Sequence, residues 1–204
     1  MRGASSGKGY KLSNTDEILV DRCQRGENKA FELLLQKYQR RIFHLIYRIT
    51  QDPDVVEPLA QEVFMKAYKS ISSFKGDSRF YTWLYRIAVN TCLSHNKRGF
   101  REESRGRQLE ANIPEAFPKI SSMQSEDPEK LYMKREFLRF LLNCVRRLPE
   151  ELRTAIILRE FTGLNYEEIA DVMQVPIGTV RSRIFRARTR LREMMEPYAD
   201  QNIM

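Results

Sequence analysis

Apolar residues recur at three- and four-residue steps along most of this chain, the spacing that places side chains on one face of a helix. Three such stripes lie before residue 72: Ile18, Leu19 and Cys23; Phe31, Leu34, Leu35, Tyr38, Ile42, Leu45, Ile46 and Ile49; and Leu59, Val63, Phe64, Ala67 and Ile71. The sequence lacks the sustained alternation of apolar and polar residues that indicates a β-strand. The pattern therefore predicts an all-α fold.

A break in this periodicity divides the chain. Residues 99–128 contain two glycines, three prolines and charges of both signs without a sustained apolar spacing, which is typical of a flexible linker. Helix signals return at Asp127, which can cap a helix that begins with proline, and the second half is predicted to form four helices. The predicted organisation is a disordered tail at 1–11, native or added for expression, a helical domain at 12–98, the linker at 99–128, a helical domain at 129–198 and a tail at 199–204.

Residues 165–192 have the pattern of a helix-turn-helix. Asn165 can cap the first helix, and two glutamates follow in its first turn, where the helix dipole favours negative charge. Pro176 interrupts that helix because proline disfavours helical geometry in the residue before it. The second helix is expected to begin at Gly178 or Thr179, so the turn is short, as this motif requires.

The second helix of this motif has one apolar face and one basic face. At about 100° per residue, its apolar stripe is Val180, Ile184, Ala187, Leu191 and Met194. The opposite side carries Arg181, Ser182, Phe185, Arg186 and Thr189, and residues 181–192 hold six arginines and no acid. Arginine can pair with guanine, a hydroxyl can contact bases or phosphate, and an apolar group can touch a thymine methyl. The alternatives are a solvated basic helix, or a Phe185 that packs against a neighbouring element.

A helix predicted from Arg79 or Phe80 to about Lys97 carries a tryptophan outside its apolar face. Trp83 lies on the side of Arg86, Asn90, Ser94 and Lys97, opposite the stripe of Tyr81, Leu84, Tyr85, Ala88, Val89 and Cys92. One interpretation is that Trp83 covers the edge of the core or contacts a protein partner. The other is a platform for unpaired bases, since stacking a base on an aromatic ring contributes about 1–3 kcal/mol whatever the base.

Composition narrows the class of protein. A formal charge of +8 and a pI near 9.5 favour a polyanionic partner. Cys23, Cys92 and Cys144 are far apart and form no CxxC pair, so neither a disulfide framework nor a zinc site is predicted and the chain is expected to be cytosolic. No apolar run approaches the roughly 20 residues of a transmembrane helix, and no signal-peptide pattern is present.

The sequence offers no catalytic arrangement. His44 and His95 are isolated from any serine, cysteine or carboxylate in catalytic spacing, and no glycine-rich phosphate loop occurs. We therefore expect a binding protein without enzymatic activity, cofactor, metal or small-molecule substrate.

The sequence resembles bacterial RNA polymerase sigma factors of the extracytoplasmic-function group, close to the sigma-E type of envelope-stress factor. The resemblance lies in four segments: GENKAFELLLQKY, QEVFMKAYKSISSFKGDSRFYTWLYRIAVNT, LPEELRTAIILREFTGLNYEEIADVM and PIGTVRSRIFRAR. They cover both predicted domains in the family's order. The resemblance implies an alternative sigma factor that binds core RNA polymerase, directs it to specific promoters of a stress regulon and helps to melt the minus-10 region.

The resemblance also implies which residues do this. In the first domain, the segment that grips the clamp helices of the largest polymerase subunit contains Gln61, Glu62 and Phe64. The residues that match the single-stranded minus-10 site are Phe74, Lys75, Gly76, Asp77, Ser78, Arg79, Phe80, Trp83, Arg86 and Asn90. In the second domain, which also docks on the flap of the other large subunit, the residues that match the reader of duplex minus-35 DNA are Thr179, Arg181, Ser182, Phe185 and Arg186.

One position departs from the family pattern. Pro58 stands where members commonly have an acidic residue, so this chain lacks any polymerase contact that such an acid contributes. The resemblance further implies an anti-sigma partner, often embedded in the inner membrane, that masks the polymerase-binding surfaces until a signal releases the factor.

Two other classes of protein remain open from the residues alone. A stand-alone helix-turn-helix regulator would need only the second domain and would bind duplex DNA tightly without polymerase. A nucleic-acid-processing enzyme such as a recombinase would need a nucleophile or metal-binding carboxylates, and no spacing in the sequence supplies them.

Overall fold

The computed structural model describes residues 14–103 and 128–201, with side chains described for 15–97 and 136–198. In these ranges all regular structure is helical, which confirms the predicted all-α fold. The helices are α1 (Asn14–Gln24), α2 (Asn28–Thr50), α3 (Val56–Ser70), α4 (Phe80–Glu103), α5 (Pro128–Arg146), α6 (Glu150–Glu160), α7 (Tyr166–Met173) and α8 (Ile177–Gln201), with a 3-10 turn at Ile71–Ser73. Residues 104–127, the larger part of the predicted linker, all of the first predicted tail and residues 202–204 of the second lie outside the described residues, and α8 extends to Gln201, into the second predicted tail.

Helices α1 to α4 pack together around α2. The predicted apolar stripe of α2 is its buried face, and Tyr38 is only 1% exposed. The Tyr38 hydroxyl donates a hydrogen bond to Asp16 Oδ2 at 2.6 Å, and Asp16 also pairs with Lys37. Burial and the adjacent carboxylate raise the pKa of Tyr38. The phenol therefore keeps its proton and holds α1 against α2.

Helices α5 to α8 form the second unit, in which α6 is almost wholly buried from Thr154 to Leu158. The predicted N-cap of α7 is confirmed as a capping box. The Glu168 amide donates to Asn165 Oδ1 at 2.8 Å, and the Asn165 amide donates to Glu168 Oε2 at 3.0 Å. Two of the amides that a helix start leaves unpaired are thus satisfied, which fixes where α7 begins.

Two helix boundaries differ from the sequence prediction. Helix α8 begins at Ile177 rather than at Gly178 or Thr179, because the Pro176 carbonyl accepts the Thr179 amide at 2.9 Å and so closes the first turn earlier. Helix α4 continues to Glu103 instead of ending near residue 97. The extra turn is rich in arginine and glutamate, which are good helix formers and outweigh its single glycine.

The two units contact each other along two helix pairs, α4 with α7 and α2 with α6. The contacts at the edges are polar. Arg146 Nε donates to Gln51 Oε1 at 2.9 Å, and the Arg48 guanidinium lies 4.1 Å from the ring centroid of Phe161. Helix α7, the first helix of the helix-turn-helix, therefore lies directly against α4.

Candidate nucleic-acid interface

The predicted division of α8 into a packed face and an offered face is present in the structure. Val180, Ile184 and Ala187 are buried against the second unit, whereas Phe185 is 70% exposed. A Phe185 packed against a neighbouring element, the alternative raised by the sequence, does not occur among the described residues. Arg181 and Arg186 are exposed beside it. This face offers guanidinium groups next to an apolar ring, the combination that base edges in the major groove can use.

The arginines of α8 fall into two groups that the sequence could not separate. Arg183 pairs with Glu151 at 2.6 Å and Arg188 pairs with Glu160 at 2.7 Å, so both are tied to α6. Arg181 and Arg186 have no acidic partner within residues 14–103 and 128–201. An exposed pair contributes little to stability, but it orients the side chain away from the reading face. Arg190 and Arg192 likewise have no acidic partner among the described residues, but only Arg181 and Arg186 lie beside Phe185 on the reading face, so these two are the stronger candidates for DNA contacts.

The hydroxyl groups of the reading helix are already hydrogen-bonded to its backbone. Ser182 Oγ donates to the Thr179 carbonyl at 2.9 Å, and Thr189 Oγ1 donates to the Phe185 carbonyl at 3.1 Å. A hydroxyl that donates to the backbone can still accept a hydrogen bond. In this rotamer Ser182 can therefore accept from a base amine but must rotate before it donates. Thr179 itself is half-buried in the first turn of α8.

The predicted minus-10 segment forms a loop and an aromatic cluster at the start of α4. The Trp83 ring centroid lies 5.1 Å from that of Phe74 and 5.6 Å from that of Phe80. Trp83 is half-buried, so it covers the edge of the core and also presents part of its ring. The interpretation that Trp83 covers the edge of the core is thus confirmed, and its role as a platform for unpaired bases stays a prediction. Phe80 is buried against Tyr38, which makes it the support of the cluster rather than a contact surface.

The loop is held in place by α1. Gln24 Nε2 donates to the Phe74 carbonyl at 2.8 Å and to the Ile71 carbonyl at 3.0 Å. Gly76 has a φ of 77°, in the left-handed region that glycine adopts without strain. Lys75, Gly76 and Asp77 are exposed at the tip, and Ser78 is half-buried. The loop therefore presents one cation and several backbone groups from a fixed position.

Asn90 and the two arginines of this region have different surroundings. Asn90 is exposed on α4. Arg79 donates to the Tyr81 hydroxyl at 2.9 Å, and Arg86 forms an ion pair with Asp171 of α7.

A cleft of about 650 Å³ lies between the loop, α1 and the start of α7. The structure thus brings the loop residues to one cleft, but it places an acidic helix beside them.

Two of the three predicted polymerase-binding residues, Gln61 and Phe64, line an apolar groove between α2 and α3, whereas Glu62 does not. The groove has a volume of about 580 Å³ and is lined by Phe31, Leu35, Gln39, Phe43, Glu57, Ala60, Gln61, Phe64, Met65, Tyr68 and Lys69. Gln61 is exposed, Glu62 pairs with Lys66 at 2.7 Å, and Phe64 is largely buried in the floor. The groove also exposes Met65 and Tyr68, at 57% and 50%, which the sequence prediction did not include. Their signal was present, since they follow Gln61 on one face at helical spacing.

Pro58 occupies the third position of α3, where the backbone nitrogen has no partner within the helix in any case. It is exposed. The proline is therefore accommodated at the start of α3 without disturbing the helix.

Within 14–103 and 128–201, no three His, Cys, Asp or Glu side chains lie together in a way that could hold a metal ion. In the same ranges no helix has the length and apolar character needed to cross a membrane.

Comparison with known families matches both helical units. Residues 34–101 match the family described as Sigma-70 region 2, and residues 139–191 match Sigma-70, region 4. The chain is 46% identical to the RNA polymerase sigma-H factor of Pseudomonas aeruginosa over 184 residues, covering 89% of this chain and 94% of that one. It is 44% identical to the ECF RNA polymerase sigma-E factor of Escherichia coli over 185 residues, covering 90% and 95%.

Solved structures share the arrangement of helices. The sigma factor RpoE in complex with the anti-sigma factor NepR, from Bartonella quintana, is 28% identical with a TM-score of 0.65, covering 82% of this chain and 98% of that chain. CnrH in complex with the cytosolic domain of CnrY is 21% identical with a TM-score of 0.63, covering 90% and 99%, which shows the fold alone.

Proposed function

Because the chain belongs to the extracytoplasmic-function group of the sigma-70 family, we propose that it acts as an alternative sigma factor whose two helical units hold the two ends of a promoter. The observation that carries this is the match of both units, in the family's order, with 44% identity over 90% of the chain. A stand-alone helix-turn-helix regulator needs only the second unit and leaves the match of residues 34–101 unexplained.

We assign reading of the minus-35 element to the exposed face of α8. Arg181 and Arg186 supply guanidinium groups for guanine or phosphate, and Phe185 supplies an apolar contact for a thymine methyl. Ser182 and Thr179 complete the set at the start of the helix. The exposure of Phe185 and the absence of acidic partners for these two arginines among the described residues support this assignment.

We assign capture of the opened minus-10 strand to the loop 74–80 with Trp83, Arg86 and Asn90. The loop tip is exposed and fixed by Gln24, and the partly exposed Trp83 ring can stack on a base. The stacking lost on opening duplex DNA averages about 1.4 kcal/mol per step. A few such contacts can hold a short opened segment, while polymerase contributes the rest.

We assign binding of core polymerase to the groove between α2 and α3, with Gln61 at its rim and Phe64 in its floor, together with Glu62 of the same helix outside the groove. Met65 and Tyr68 extend the same apolar surface. The factor supplies no chemistry of its own, because RNA synthesis belongs to the polymerase. We place it in the cytoplasm, held at the inner membrane when a membrane-embedded anti-sigma factor binds it. The complex of the similar factor RpoE with the anti-sigma factor NepR supports an anti-sigma partner.

The minus-10 assignment is tested by Asn90→Ala, with Ser94→Ala as a matched control one turn further along the same exposed side of α4. We expect Asn90→Ala to reduce permanganate reactivity of thymines in the minus-10 region while polymerase binding stays at the wild-type level. Ser94→Ala should change neither. Equal loss of polymerase binding and strand opening in Asn90→Ala would show that the side chain has only a structural role.

A further inference from the structure

A cavity of about 330 Å³ lies between α2, α4 and the end of α6, and it contains none of the residues assigned above to DNA or polymerase. Its basic residues, Arg41, His44 and Arg48, all come from one face of α2, since they are three and four positions apart. The other elements add uncharged residues: Tyr85 from α4, and Ile157, Phe161 and Thr162 from α6 and the residues that follow it. Among the residues that the structure describes, no carboxylate lines this cavity. The lining is therefore cationic, and its volume is in the lower part of the range of small-molecule sites.

Aromatic groups hold the two arginines of the cavity in place. The guanidinium carbon of Arg48 lies 4.1 Å from the ring centroid of Phe161. That of Arg41 lies 5.9 Å from the ring centroid of Tyr38, and Arg41 also donates a hydrogen bond to the buried hydroxyl of Tyr85. Neither arginine has a carboxylate partner among the side chains that the structure describes. Each guanidinium carries five N–H donors in a fixed plane, so both retain donors for a ligand.

Partial burial makes the positive charge of this cavity unfavourable. Arg48 is half-buried, and burial lowers its pKa. His44 is half-buried beside it, and its pKa is lowered by burial and then by the charges of Arg48 and Arg40. A charge that is removed from water without an opposite charge is destabilising, and like charges nearby add to that cost. An anion in the cavity would reduce both contributions.

The geometry of the donors narrows the class of anion. Arginine side chains present planar pairs of N–H groups that match the oxygens of phosphate. Two guanidinium groups and an imidazole around one cavity favour a ligand that carries more than one negative charge. The cavity volume suits a compact ligand and not a second macromolecule. These properties together favour small phosphate compounds.

We propose that Arg41, His44 and Arg48 form a binding site for a small phosphate-bearing anion, such as phosphate, pyrophosphate or the phosphate groups of a nucleotide. The proposal goes beyond the proposed function and does not depend on it, because binding at this cavity requires neither promoter DNA nor polymerase. Helix α2 supplies the cations and the end of α6 completes the wall, so the bound anion is expected to stabilise the folded chain.

The test uses the full chain alone and observes its two histidines by NMR. His44 lines the cavity, whereas His95 of α4 does not and serves as an internal control. Phosphate, pyrophosphate and a nucleoside triphosphate are titrated separately at constant ionic strength. We expect the His44 ring signals to shift with saturation, with a dissociation constant of about 1 mM or below for pyrophosphate, and the His95 signals to stay unchanged. The bound anion should also raise the pKa of His44, because a nearby negative charge favours the imidazolium form.

Arg48→Gln and Arg41→Gln each remove one guanidinium from the cavity. Each variant is expected to weaken pyrophosphate binding about tenfold or more, the effect of losing one hydrogen-bonding charge. Arg40→Gln is the matched control, because Arg40 is exposed next to Arg41 on α2 and does not line the cavity. It should bind pyrophosphate as wild type does. Unchanged His95 signals in each variant show that the fold is intact, and Arg41→Gln decides the question if Arg48→Gln does not fold.

Thermal unfolding gives an independent readout, since a ligand that binds only the folded chain raises the Tm. Pyrophosphate should raise the Tm of wild type and of Arg40→Gln, and it should raise that of Arg41→Gln less. A His44 shift that does not saturate, or equal weakening by Arg40→Gln and Arg41→Gln, would overturn the proposal, because either would show only general attraction to a basic surface. A single-stranded oligonucleotide is titrated last. A His44 response to the oligonucleotide but to none of the small anions would also overturn the proposal and would place these cations in the DNA interface.

Discussion

At the scale of single residues, the two ends of α7 in the helix-turn-helix are set by Asn165, which the sequence predicts, and by Gln174, which it does not. Asparagine is favoured at helix N-caps, and Asn165 forms a capping box with Glu168. Gln174 ends the same helix with a φ of 53°, a left-handed conformation that glycine adopts at lower cost. Its side chain donates to the Asp171 carbonyl at 2.7 Å. A local pattern does not reveal this conformation, because glutamine rarely adopts it.

Gln174→Gly is expected to raise the free energy of unfolding by about 1 kcal/mol, since glycine relieves the left-handed backbone and the lost hydrogen bond is exposed to solvent. Gln174→Ala is the control, because it loses the hydrogen bond but keeps the strain, and it should be less stable than wild type. Urea denaturation gives the order. A Gln174→Gly protein as unstable as Gln174→Ala would show that the side-chain hydrogen bond outweighs the strain.

Cys92 should be the least reactive of the three cysteine thiols. It is fully buried in α4, and burial raises its pKa to about 12, so the nucleophilic thiolate is scarce near pH 8. Cys23 is half-buried and more accessible. Labelling of the native chain with N-ethylmaleimide at pH 8, followed by mass spectrometry, should modify Cys23 first. Labelling of Cys92 at the rate of Cys23 would contradict the described core.

At the scale of elements, the helical stripes predict most of the fold, because each records the face that the helix buries. The stripes of α2, α3 and α8 match the buried residues closely. The predicted end of α4 and the predicted start of α8 were wrong by a few residues, since helix ends depend on capping and on composition rather than on the apolar period. The apolar stripe also did not predict that Trp83 is half-buried. Its burial depends on contact with Phe74, which lies in a loop without helical periodicity.

The division of the arginines in α8 gives an element-scale prediction. Arg186→Ala should weaken recognition of the minus-35 element by about 1–3 kcal/mol if it contacts a base. Arg188→Ala is the matched control, because Arg188 pairs with Glu160 on α6. Transcription by the holoenzyme on promoters with intact and scrambled minus-35 sequences measures both. Loss on both promoters alike would make Arg186 a phosphate contact, and equal loss in Arg188→Ala would contradict the division.

At the scale of the whole molecule, the sequence predicts two helical units but not the contact between them. Periodicity reports on neighbours along a helix, whereas Arg86 and Asp171 meet across 85 positions. The sequence could place Arg86, Trp83 and Asn90 near one another because they share a helix. It could not show that an acidic helix of the second unit covers that face. The formal charge of +8 likewise predicts a polyanionic partner, but it does not show which basic side chains already pair with acidic ones within the protein.

The central claim is that this chain makes core RNA polymerase specific for promoters. Its most direct measurement is transcription by purified core polymerase, with and without the chain, from a library of promoter fragments. We expect transcripts from a small set of promoters, only when the chain is present, and weak binding of duplex DNA by the chain alone. The absence of any promoter-dependent transcript across the library, or tight sequence-specific binding of duplex DNA without polymerase, would contradict the claim.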